Sequence, residues 1–117
     1  MIEQVITILS KATELPIKPH FTGEIENCII YTTSCGDDGA VARHRLELRL
    51  ITSTYAEAEE YKKTILSTLI TTGDDSLTDD ILSCTLNGGG SLYDGGTKTY
   101  HTLMYFDVIT RSVKYEQ

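Results

Sequence analysis

The 117-residue sequence has no tryptophan, only two prolines and three cysteines, and no apolar run that approaches the length of a membrane span. The missing tryptophan excludes nothing, but the other shortages do. Cys28, Cys35 and Cys84 are odd in number and form no CxxC pair. Neither a disulfide framework nor a zinc site is therefore expected, and free thiols in or near the core are. Bases are scarce as well: 10 Lys and Arg stand against 17 Asp and Glu, for a net charge of −7. A field of that sign disfavours nucleic acid as an overall partner and favours solubility, while leaving room for a local basic strip. The first residues, MIEQVITILSKATE, carry acids inside their apolar pattern, unlike a signal peptide, so a cytoplasmic location is expected. The rest is ordinary globular composition, 40% hydrophobic and 23% charged, which argues against disorder. At this length it predicts a single domain over 1–117, burying about two thirds of its unfolded surface.

One segment, 54–72, has strong helical patterning with signals at both ends. Thr54 followed three residues later by Glu57 forms a capping box, in which hydroxyl and carboxylate satisfy backbone N–H groups that the first turn leaves unpaired. Ala58, Tyr61, Ile65 and Leu69 recur at steps of three and four, with Leu66 and Ile70 widening the stripe. Glu57, Glu59 and Glu60 precede Lys62 and Lys63, which suits the helix dipole and allows Glu59 to pair with Lys63. Gly73 supplies the stop. A helix with a single apolar stripe needs a cover, and one face of a sheet provides it.

Ile2, Val5, Ile6, Leu9 and Ala12 predict a short amphipathic helix over 2–13, ended by Leu15-Pro16. Residues 17–21 then run extended as a linker or short edge strand. A strand over 25–33 is expected to stop at the SCGDDG loop. The strand over 41–52 separates most cleanly: Ala42, His44, Leu46, Leu48 and Leu50 point one way, Arg43, Arg45, Glu47 and Arg49 the other. The charged row is spaced by about 7 Å along the strand. It reads either as a solvated face or as a partner surface on which arginine forks meet carboxylates. The acidic stretch 72–80 reads as a loop, and 81–86 as a strand. The glycines of 87–97 bracket Leu92 and Tyr93 in a flexible projecting hairpin arm or loop. The strand over 99–111 is partly apolar on both faces, Leu103 and Tyr105 lying with His101, Asp107 and Ile109. It is either central and covered twice or covered by another subunit, and with only two helices the second gains weight. The fold class is α+β, a mainly antiparallel sheet with two helices on one face.

Searching these elements for chemistry finds little. Gly90, Gly95 and Gly96 do not make a phosphate loop, because Lys98-Thr99 arrives late and leads into a strand rather than a helix. His20, His44 and His101 lie on separate segments, and His44 shares an apolar face where a hydrogen-bonded boundary histidine is expected. The pairs Asp37-Asp38, Asp74-Asp75 and Asp79-Asp80 lack calcium-loop spacing. No catalytic residue, cofactor or metal ligand is assigned.

The order of a short helix, a sheet, a long helix beginning TSTYAEAEEYKKTILSTL, a glycine-rich stretch and then TYHTLMYFDVITR resembles small tail-terminator or minor capsid proteins of long-tailed phages. The resemblance covers nearly the whole chain in size, order and texture. It implies a non-catalytic virion protein, made in the host bacterial cytoplasm, that closes into a ring, generally a hexamer, capping the tail tube and joining tail to head. Implied partners are other copies, the tail tube protein and a head-completion protein, with DNA only passing through a channel and no membrane involved. Ring closure needs two different patches. Arg43, Arg45, Glu47 and Arg49 are candidates for one and the acidic loops for the other, with Leu92 and Tyr93 as anchors on the arm and Leu103 and Tyr105 on the last strand. Two other classes stay open: a small ligand-binding or dimeric interaction domain using the 88–96 loop, and an enzyme with Cys84 or His101 in an unrecognised site.

Overall fold

The computed structural model describes residues 2–19, 27–38, 41–71, 77–78 and 81–111. In chain order these form α1 (Ile2–Ala12), β1 (Ile17–Lys18), β2 (Cys28–Asp38), β3 (Val41–Thr52), α2 (Tyr55–Leu69), β4 (Ile81–Asp94) and β5 (Thr99–Arg111). The alternation along β3 organises the rest. Leu46, Leu48 and Leu50 are buried, and ladder pairing sets Leu50 beside Ile29 of β2 and Leu46 and Leu48 beside Phe106 and Met104 of β5. This apolar sheet face is closed by Val5 and Leu9 from α1 and by Ile65 and Leu69 from α2, so both helices lie on one side. The fold is α+β, as the patterning predicts.

The five strands run in the order β1-β2-β3-β5-β4. Only β1 and β2 are parallel, and the other neighbours are antiparallel. β5 is thus central, although it comes last in the chain, and β4 is an edge. At the start of α2 the expected capping box is present: Thr54 Oγ1 accepts from Glu57 N–H at 3.2 Å, and Glu57 accepts from the Thr54 and Ser53 hydroxyls at 3.1 and 2.8 Å. These bonds, the one from Ser53 foremost, hold the Glu57 carboxyl below its ordinary range.

Three element boundaries differ from the patterning. α2 ends at Leu69 rather than at 72, with Ile70 already extended and its N–H donating to the Leu66 carbonyl; Gly73 lies outside the described residues. β2 continues through Ser34, Cys35, Gly36, Asp37 and Asp38, because partners from Arg45 to Val41 are available across the hairpin and ladder bonds outweigh local turn preference. The glycine stretch forms one side of the hairpin, but as paired strand rather than as a projecting arm or loop. β4 passes through a bulge between Leu86 and Gly89 and stays paired with β5 from Gly89 to Asp94. The turn falls at 95–98, where Asp94 Oδ1 accepts from Gly96 N–H at 2.9 Å and Lys98 adopts φ 58°.

Candidate interaction face

The sheet face turned away from the helices collects most of the residues singled out above. β3 contributes Arg43 and Arg45, both exposed, and Glu47 and Arg49, both half-buried. Ladder register sets these four opposite Ile109, Asp107, Tyr105 and Leu103 of β5 in turn. Arg45 stands over the Tyr105 ring, with its guanidinium carbon 4.9 Å from the ring centroid, a cation–π contact that holds the side chain against the sheet. Across the ladder Arg45 faces Asp107, which also accepts from Asn87 Nδ2 at 2.8 Å. Leu92 on β4 lies opposite His101 and is exposed.

Tyr93 does not belong to this face. It pairs with Tyr100, whose side is that of the helices, and the two rings lie 4.9 Å apart, with Tyr55 6.0 Å from Tyr100. Asp107 and His101 do belong to the face: the alternation of 99–111 already puts both with Leu103 and Tyr105, and the pairing of β3 with β5 sets Asp107 beside Arg45.

One end of the face is closed and polar inside. Cys28, Ile30 and Ile51 are buried there, and beside them His101 is only 1% exposed. Arg49 Nη1 lies 3.2 Å from His101 Nδ1, while His101 Nε2 lies 3.0 Å from Thr99 Oγ1 and 3.9 Å from Asp94 Oδ2. Because a guanidinium only donates, Nδ1 accepts and the ring proton sits on Nε2. Burial first, and the Arg49 charge second, keep this imidazole neutral by lowering its pKa below the ordinary 6.5. The cluster therefore positions Arg49 instead of presenting a base to solvent.

Cys84 and His44 are likewise shifted toward their neutral forms. Burial, with Asp107 adding to it, pushes the Cys84 thiol up to about 12, the reverse of an activated nucleophile. His44 is half-buried, with Nε2 3.0 Å from Thr110 Oγ1, and burial lowers its pKa. A surface hollow of about 280 Å³ lies against α1, lined by Glu3, Gln4, Thr7, Ile8 and Thr78, away from Cys84 and His101. Among the described residues no group of three His, Cys, Asp or Glu side chains is placed to hold a metal, and no helix is long and apolar enough to cross a membrane.

The fold recurs in a virion. A chain of the virion of a native gene transfer agent particle superposes on this one with a TM-score of 0.61, covering 92% of this chain and 84% of that chain at 11% identity. At that identity the likeness is one of fold. No family model matches the sequence, and no curated protein does.

Proposed function

We propose that this chain is a structural protein of a phage-like particle, and within it a tail terminator. Residues 1–117 act as one domain, copies close into a ring of about six, and the ring caps the tail tube and joins it to the head. The observation that carries this is likeness of fold over nearly the full length of both chains to a virion component. The sheet adds support. Its helix-free face gathers three guanidiniums, Tyr105, Leu103 and Leu92 on a chain whose net charge is −7, which suits contact with an acidic neighbour. Neither Cys84 nor His101 has the exposure or the pKa of a reacting group, so the role proposed is non-enzymatic.

On this reading Arg43, Arg45, Glu47 and Arg49 with Leu103, Tyr105 and Leu92 meet the neighbouring proteins of the particle, and Tyr93 contributes from the other side of β4. The negative net charge suits a channel through which DNA slides without sticking. Light scattering at two salt concentrations with negative-stain images of the same sample tests it: rings of about six copies are expected, alone or on added tail tubes. Arg45→Glu is expected to weaken attachment to tubes in co-sedimentation. A chain that stays monomeric and ignores tubes would overturn the assignment.

A further inference from the structure

The sheet has two edges, and among the described residues each is covered over only part of its length. On one side β1 pairs with Ile29 and Ile30 of β2 and goes no further, so among the described residues 31–38 have no strand beside them. On the other side the beginning of β4 is capped by its own chain. Thr71 N–H donates to the Cys84 carbonyl at 3.1 Å, and Cys84 N–H donates to Thr71 Oγ1 at 3.1 Å. The Ile81 carbonyl accepts from Leu77 N–H at 3.0 Å, and Ile81 N–H donates to Thr78 Oγ1 at 2.9 Å. Past Cys84 this capping stops. Among the described residues nothing bonds the outer backbone of 86–94, and here Leu86, Leu92 and Tyr93 are 45%, 47% and 54% exposed.

Edges left open are usually blunted by Lys, by other charges or by Pro. Of the open stretches, 86–93 of β4 and 31–36 of β2 contain none of these, and the charges, Asp94 on β4 and Asp37 and Asp38 on β2, fall only at their ends, in a chain that is 23% charged. Alternation along β5 puts Ser91, opposite Thr102, in phase with Cys84, opposite Val108, so the Ser91 N–H also turns outward. β2 and β4 are separated by three antiparallel steps and run in opposite directions. A neighbour related by rotation therefore offers its β2 to β4 in the antiparallel sense.

We infer that copies of this chain join head to tail by pairing the open part of β4, residues 90–94, with the open part of β2, residues 31–38, of the next copy, Leu92 and Tyr93 anchoring the two sides. This rests on the ring proposed above and names the surfaces that close it. The contact is heterologous, as ring closure requires, and it extends one sheet from copy to copy. Each open part is the C-terminal part of its strand, and because β2 and β4 run in opposite directions the two lie at opposite ends of the sheet, so the strands tilt against the ring axis, as in any closed sheet.

Hydrogen exchange on the assembled and the dilute protein, with peptides covering 31–38 and 86–94, reads the contact directly. Both segments should gain protection together on assembly. Ser91→Pro, which removes the outward N–H from an edge, and Tyr93→Lys should each weaken assembly roughly tenfold while leaving monomer circular dichroism unchanged. If the proline variant fails to fold, Tyr93→Lys decides. Rings without added protection at either segment, protection of 86–94 alone, or variants that assemble like the parent overturn the edge contact and leave the ring standing. A chain monomeric with and without tubes overturns both.

Discussion

Gly89 and Gly90 are neighbours on β4, and only the first has to be glycine. At Gly89, φ is +156° and a Cβ would be driven into the Leu103 carbonyl, whereas nothing lies within 4 Å of a Cβ at Gly90. Gly89→Ala is expected to cost roughly 2 kcal/mol and Gly90→Ala less than about 0.5, compared by thermal unfolding. His101 sets a second expectation at this scale. Its folded pKa lies below the ordinary 6.5, so the unfolded chain takes up the proton first as pH falls. Stability is then complete above 6.5 and declines below it, down to the folded pKa. His44, lowered in the same direction, adds to this slope. Denaturant melts between about pH 7 and pH 5 should show the decline, and His101→Gln should flatten it. Neither residue could be ranked from sequence: a run of three glycines reads as a loop, and Arg49, which meets the His101 ring, comes from 52 residues away along the chain.

At the scale of elements, α2 was legible because its information is local. Thr54, Glu57 and the Ala58-Ile65-Leu69 stripe lie within one segment, and the structure has the box and buries the stripe. Thr54→Ala should cost about 1 kcal/mol, read from the shift in urea midpoint at unchanged m-value. The strands β3 and β5 were equally legible, since period-two alternation is also local. β4 was not. Local preference ends a strand at Asn87, yet β5 offers continuous partners from Met104 to Thr99, and the bulge between Leu86 and Gly89 absorbs the mismatch so that pairing continues. The same competition carries β2 through Gly36, Asp37 and Asp38.

At the scale of the whole molecule, the two-sided sheet is the property with consequences. One face carries both helices; the other carries Arg43, Arg45, Glu47 and Arg49 beside Tyr105 and Asp107. If charge governs that contact, raising salt from about 0.05 to about 0.5 M should loosen attachment to tail tubes more than it loosens an edge-joined ring, whose contacts are backbone hydrogen bonds and apolar side chains. Sedimentation of rings and of ring–tube complexes at both salts separates the two. Of the proposed face, the arginine row, Leu103 and Tyr105 were readable from alternation. Which face Leu92 and Tyr93 join was not readable, because a face can be assigned only after a register is known.

The α+β class, the long helix with its cap, and the inward and outward sets of β3 and β5 are written along the chain, because capping and side-chain periodicity act over a few neighbouring residues. That β5 lies between β3 and β4, that the glycine stretch is an edge strand and that Arg49 meets His101 emerged with the fold. Those outcomes depend on pairing between segments distant in the chain, where the free energy of a whole ladder outweighs what any single segment prefers.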